Sequence, residues 1–163
     1  VTVQHMQQVL TERLRLNPGA AELVAACKAA GLKVLLVSGG FTFFTRYVAA
    51  ELGMDWVRSN ELEIRDGALT GGLVMQPWGE ICDGEEKRRM LLQCAQDIGA
   101  TPAQAIAVGD GANDLPMMSV AGLSVAYHAK PIVAAEAQAR IDHGDLTALL
   151  FAQGYKAEEF VTL

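Results

Sequence analysis

The chemistry in this sequence is concentrated in Gly109-Asp-Gly-Ala-Asn-Asp114, where two carboxylates and one amide, Asp110, Asn113 and Asp114, fall within five residues. Hard oxygen donors gathered so closely suit Mg²⁺ better than zinc, which favours nitrogen and sulfur. Gly109 and Gly111 tolerate backbone angles that would strain other residues. The same residues also describe an Asx-rich turn in which Asn113 or Asp114 caps the following helix. Taken alone, the stretch leaves both readings open.

Two further places carry groups able to handle an anion. Ser38-Gly39-Gly40 joins a strand to a helix, and a hydroxyl with backbone N–H groups facing a helix N-terminus can hold a phosphoryl oxygen. A plain strand-to-helix turn has the same composition. Lys87 lies in Glu85-Glu-Lys-Arg-Arg89, whose charge pattern by itself reads as a solvated helix face. His5, His128 and His143 are dispersed, without partners at ligand spacing, and read as surface or loop residues.

Helices and strands must alternate to position these groups. Apolar Val3, Met6, Val9, Leu10 and Leu14 predict a helix over Val1–Leu16, and Asn17-Pro18 starts a second that Gly31 ends. A buried strand follows at Lys33–Val37, then a helix over Thr42–Leu52 closed by Gly53, with Phe41, Phe43 and Phe44 expected in the core. Trp56–Asn60 reads as a strand and Glu61–Thr70 as a hairpin turning at Asp66-Gly67. Pro77 to Gly79 form a loop, and Asp83-Gly84 open a helix running to Gly99. Beyond the strand Ala105–Val108 come a helix from near Leu115 with Met117 and Met118 in the core, a strand at Leu123–Ala126 and a helix at Pro131–Ala137. A short strand at Ala139–Ile141 and a helix at Leu146–Gln153 follow. This alternation predicts an α/β fold with a parallel sheet.

Composition narrows the partners. Of the 163 residues 51% are hydrophobic and 20% charged, enough to bury a sizeable core. A net charge of −6 without a basic block argues against nucleic acid or an anionic membrane as the main partner. No stretch has the apolar length of a membrane span. The cysteines Cys27, Cys82 and Cys94 are odd in number and lack close pairing, which predicts a reducing, cytoplasmic setting.

Gly109-Asp-Gly-Ala-Asn-Asp114 followed by Leu-Pro-Met-Met118 resembles the fourth motif of the haloacid dehalogenase superfamily of phosphatases. Val37-Ser-Gly-Gly-Phe-Thr42 and Ala126-Tyr-His-Ala-Lys-Pro131 add to the likeness, which runs from about Leu16 to Phe151. The resemblance implies a three-layer, Rossmann-like α/β core and Mg²⁺-dependent hydrolysis of a small-molecule phosphomonoester through an aspartyl-phosphate. By the same resemblance Asp110 ligates Mg²⁺, and Asp114 holds metal-bound water or orients Lys87. Ser38 and the Gly39 N–H grip phosphoryl oxygens, Lys87 neutralises their charge, and Asn113 positions the phosphate. A related small-molecule phosphatase or phosphotransferase of the same superfamily, and a non-catalytic binding module, are the alternatives.

One element of that family is absent. Its first motif, Asp-x-Asp-x-Thr on the leading strand, supplies the nucleophile, and no Asp-x-Asp occurs between Val1 and Leu163. The expectation is therefore that residues 1–16 end a helical cap and residues 17–163 form a partial core with a hairpin appendage around 61–73. The first, central strand and most of the cap are expected upstream, supplied by a parent chain or a companion fragment. The segment alone is expected to be inert.

Overall fold

The computed structural model describes residues 1–153, so the last stretch of the expected core, 154–163, lies outside the described residues. The chain divides into two compact units, Val1–Cys82 and a second beginning at Asp83.

The first unit opens with α1 (Val3–Glu12), capped reciprocally: the Thr2 hydroxyl accepts the His5 N–H, and His5 Nδ1 accepts the Thr2 N–H. The helix was expected to reach Leu16 but stops at Glu12. The Arg13 and Leu14 amides both turn back to the Val9 carbonyl, closing the C-terminal turn. The second start also differs. Helix α2 spans Ala20–Ala29, because Asn17 serves through its backbone carbonyl, which accepts the Ala20 N–H, while Pro18-Gly19 form the turn before it.

Strand β1 (Leu35–Phe41) pairs in parallel with β2 (Trp56–Asn60), from Leu35 opposite Trp56 to Phe41 opposite Asn60. The register slips between Val37 and Phe41. Ser38-Gly39-Gly40 therefore lie in an irregular tail of the strand, not in a turn beyond it. Helix α3 (Thr42–Leu52) follows at once and ends at Gly53, as expected. Its Thr45 hydroxyl meets the Ser59 hydroxyl at 2.6 Å, a buried polar contact that docks the helix on β2. Asp55 accepts from Lys28 and from the Val34 N–H, tying α2 to the chain entering β1. Phe41, Phe43 and Phe44 are half-buried, not in the core, and Phe43 meets Phe44 edge-on with centroids 5.3 Å apart.

Strands β3 (Leu62–Arg65) and β4 (Ala68–Leu73) form the expected antiparallel hairpin. Asp66 and Gly67 both have positive φ, 49° and 75°, the tight turn whose twist matches that of the strands. The Val3 and Leu69 amides bond to Gly67 and Val1 carbonyls, fastening the start of the chain to this hairpin.

The second unit is built on a parallel three-stranded sheet in the order β5 (Ile106–Gly109), β6 (Leu123–Tyr127), β7 (Ala139–Ile141). Helices α4 (Gly84–Asp97), α5 (Leu115–Val120), α6 (Pro131–Glu136) and α7 (Ala148–Ala152) intervene or flank. Val125, Val133 and Leu150 are at most 1% exposed, and Met90, Leu91, Cys94, Met117 and Met118 join them in the core. The alternation and parallel pairing are those of the expected α/β fold. Among the described residues β1 has β2 as its strand neighbour, and β5 has β6.

Core and surface methionines should separate sharply on truncation. Met118, 3% exposed, is expected to cost about 2–5 kcal/mol as Met118→Ala. Met75, 67% exposed, should cost no more than about 0.5 kcal/mol as Met75→Ala. Urea denaturation of the two variants measures the difference.

Candidate active site

In the second unit the chain leaves β5 at Gly109 and folds through a short 3₁₀ turn, Ala112–Asp114, into α5. That turn carries Asp114 back over the strand's end. A Cβ at position 109 would lie 2.4 Å from the Asp114 Cβ, so the carboxylate reaches its seat only because Gly109 has no side chain. There Asp114 Oδ2 accepts the N–H groups of Asp110 (3.0 Å) and Gly111 (3.2 Å), and Oδ1 accepts the Lys87 ammonium at 2.7 Å.

Lys87 comes from the first turn of α4. The Asp83 side chain caps that helix by accepting the Glu86 N–H, and the Asp83 carbonyl accepts the Lys87 N–H. The Lys87 and Asp114 side chains are 6% and 10% exposed, so the charge pattern's solvated helix face does not extend to Lys87. Arg88 and Glu85 keep that face and pair across it, while Arg89 reaches from it to Glu86. Glu86 is also buried, at 2% exposed, and a run of charges carries no sign in the sequence of which members turn inward. Burial by itself would raise the Asp114 carboxyl, but the Lys87 ammonium and the two amides outweigh it and hold the group below the usual carboxylate range.

Asp110 is exposed, and among the described residues no side chain pairs with its carboxylate. Its carbonyl accepts the Lys130 N–H at 3.1 Å. The turn that presents Lys130 passes through His128, at a φ of 44° and stacked on Tyr127. His5, His128 and His143 are all exposed, as expected. Asn113 is exposed on the same loop, its Oδ1 3.1 Å from where a Cβ on Gly111 would stand. With both Asp114 oxygens occupied, Asp110 is the carboxylate of this loop left for a cation. Among the described residues no group of three or more His, Cys, Asp or Glu side chains gathers at ligand distance. Mg²⁺ accepts one or two protein carboxylates and takes its remaining oxygens from phosphate and water, and Asp110 is a donor of that hard-oxygen type.

Ser38 and Gly39 belong to the first unit. Ser38 is half-buried and Gly39 exposed, and the Gly40 N–H donates to Ser38 Oγ at 2.9 Å. Asn60, 5% exposed, donates from Nδ2 to the Gly39 carbonyl at 2.9 Å and accepts the Cys82 N–H at 2.7 Å. The sequence offered Asn60 only as a polar residue at a strand's end, a position that turn residues also occupy. The structure thus brings together Lys87, Asp110, Asn113 and Asp114 on one unit, and Ser38 and Gly39 on the other.

The family model for haloacid dehalogenase-like hydrolases matches residues 1–119. A phosphoserine phosphatase from a Polaromonas species is 65% identical over 150 residues, covering 92% of this chain and 64% of that protein. A solved structure of a probable phosphoserine phosphatase from Vibrio cholerae superposes with a TM-score of 0.84 at 45% identity, covering 90% of this chain and 44% of that one. A phospho-aspartyl intermediate analogue of a phosphoserine phosphatase gives a TM-score of 0.86 at 33% identity, covering 93% of this chain and 70% of that one. The chain spans just under two thirds of the length of curated relatives that it matches.

Removing one partner of the Lys87–Asp114 pair strands the other charge. Lys87→Met is expected to cost about 3–5 kcal/mol at neutral pH by denaturant unfolding. The Asp114 contribution has the sign of a depressed carboxyl: complete above the unfolded value of about 4, and lost as pH falls through the lower folded value. The stability gap between wild type and Asp114→Asn should therefore close on acidification below about pH 4, as a series of urea melts would register.

Proposed function

Because this chain belongs to the haloacid dehalogenase-like hydrolases, we propose that it is the phosphate- and metal-binding portion of a Mg²⁺-dependent phosphoserine phosphatase, the enzyme that closes serine synthesis. One observation carries the reading beyond family membership: a buried ammonium, Lys87, is locked by Asp114, whose other oxygen takes two backbone amides at the mouth of a parallel strand. A buried lysine costs free energy unless paired, and here its partner is itself immobilised, the arrangement suited to meeting a phosphate with a fixed positive charge. The 65% identity to a protein named phosphoserine phosphatase supports the choice of substrate.

In the proposed reaction a carboxylate nucleophile attacks the phosphorus, the serine oxygen leaves with a proton from the acid that the family's first motif supplies beside the nucleophile, and water, giving a proton back to that group, then hydrolyses the resulting aspartyl-phosphate. Asp110 would hold Mg²⁺ in part, and the ion when bound would offset negative charge on the phosphate. Lys87 neutralises charge on the equatorial oxygens, while the Ser38 hydroxyl and Gly39 N–H donate to them. Asn113, beside Asp110 on the loop, positions the phosphate. Asp114, with both oxygens engaged, orients Lys87.

The nucleophile lies outside Val1–Leu163, since no Asp-x-Asp occurs there. A strand bearing it, from the same longer chain or a companion fragment, has edges to pair with, because β1 and β5 each have one strand neighbour among the described residues. The odd number of cysteines, Cys27, Cys82 and Cys94, without close pairing along the sequence, supports a reducing cytoplasmic setting. No helix among the described residues is long and apolar enough to cross a membrane.

The longer protein that joins these residues to an Asp-x-Asp strand is expected to release phosphate from O-phosphoserine in the presence of Mg²⁺. Lys87→Ala and Asp110→Asn should each lower kcat by about 10²–10³. The 163-residue chain by itself should release none. Phosphate assays on both proteins check this; turnover by the shorter one, or its absence in the longer, contradicts the proposal.

A further inference from the structure

Asn60 ends β2 with its side chain sealed from solvent, and its two ends are chemically distinct. The Gly39 carbonyl can only accept and the Cys82 N–H can only donate, so the Asn60 nitrogen must face Gly39 and its oxygen Cys82. The Gly39 carbonyl and the Gly40 N–H are the two ends of one peptide unit, and the Gly40 N–H donates to Ser38 Oγ at 2.9 Å. We infer that Asn60 is a positioning residue that acts on the Ser38 hydroxyl through the Gly39–Gly40 peptide.

Two physical effects run along this relay. The first is orientation. A flip of the Gly39–Gly40 peptide would turn its carbonyl away from the Asn60 nitrogen and its N–H away from Ser38 Oγ, so the buried amide holds the plane in one state. The second is polarisation, because a donor on the carbonyl strengthens the N–H of the same peptide, and hydrogen bonds in series reinforce one another. With one Oγ lone pair taken by the Gly40 N–H, the Ser38 hydrogen is left to point outward as a donor. A Cβ on Gly40 would sit 3.1 Å from Ser38 Oγ, tighter than an ordinary contact, so the hydroxyl would have to shift by a few tenths of an ångström to admit one. The use of that hydroxyl on a phosphoryl oxygen rests on the phosphatase reading, whereas the relay itself does not.

Ionised, as at pH well above the carboxylate range, Asn60→Asp separates the two ends of the amide, since Oδ1 still accepts the Cys82 N–H while the donor to Gly39 is lost. In ¹⁵N–¹H spectra of the 163-residue chain, Asn60→Asp should move the Gly40 amide proton upfield and leave the Cys82 amide in place. Ser38→Ala should also move the Gly40 proton upfield, which tests the second link even if Asn60→Asp fails to fold. In the longer enzyme, Asn60→Asp should lower kcat/KM for phosphoserine about tenfold, but less than about twofold when Ser38 is already alanine. A Gly40 amide unmoved by either folded variant overturns the relay, and so do losses that multiply in the double variant. A wild-type longer enzyme without phosphoserine turnover fails the phosphatase reading instead, and the spectra still decide the relay.

Discussion

The second unit depends on the seating of one carboxylate. Asp114 is 7% exposed, and an ionised carboxyl taken that far from water is stable only if every lone pair it loses to burial is met by a donor. An ammonium and two peptide N–H groups supply them. Each donor then constrains its own neighbourhood. The amides of Asp110 and Gly111 must converge, which requires the 3₁₀ turn, and the carboxylate must cross the end of β5, which requires Gly109. The lysine must arrive from the first turn of α4, and the Asp83 cap sets where that turn begins. A helix start, a tight turn and a residue without a side chain thus follow from one desolvated charge.

The first unit handles polarity differently. Its buried polar groups are neutral, Asn60 with Gly39 and Cys82, Thr45 with Ser59, and they fix backbone and hydroxyls, not charges. Neutral hydrogen bonds contribute only about 0.5–1.5 kcal/mol each, but losing one partner leaves a buried group unsatisfied, so their main effect is to exclude alternative geometries. That suits a strand tail whose register has slipped and whose residues 38–40 lack a regular ladder to hold them.

Local signals in the sequence were legible where a residue type has one strong conformational use. Gly53 closes α3, Asp66-Gly67 make the hairpin turn, and Asp83 caps α4, each at the expected place. They failed where two uses compete. Asn17-Pro18 has the composition of a helix start, yet the pair is spent on a turn and the helix waits for Ala20. Leu14 continues the apolar spacing of α1, but its amide closes the helix instead. Ser38-Gly39-Gly40 read as a turn and lie in a strand, since glycine permits either. For the candidate site, the loop from Gly109 to Asp114 was evident because its residue types have few other uses in such density. Lys87 was singled out by family resemblance, not by its surroundings in sequence. Asn60 went unnoticed because nothing local distinguishes an amide that will be buried against two peptide groups from one facing water.

The arrangement also divides labour between carboxylates four residues apart. Asp110 and Asp114 are chemically the same, and spacing alone would allow both to reach one cation. Once Asp114 has spent both oxygens on Lys87 and the loop's amides, adding a cation there would mean breaking a charge-assisted bond at 2.7 Å. Asp110 faces solvent with its carboxylate uncommitted among the described residues, while its peptide N–H is held by Asp114 and its carbonyl by Lys130. The backbone of the free carboxylate is thereby held by the bound one. In the proposed reaction a cation on Asp110 and the ammonium paired with Asp114 would thus be tied to the two ends of one short stretch of backbone, folded by the 3₁₀ turn.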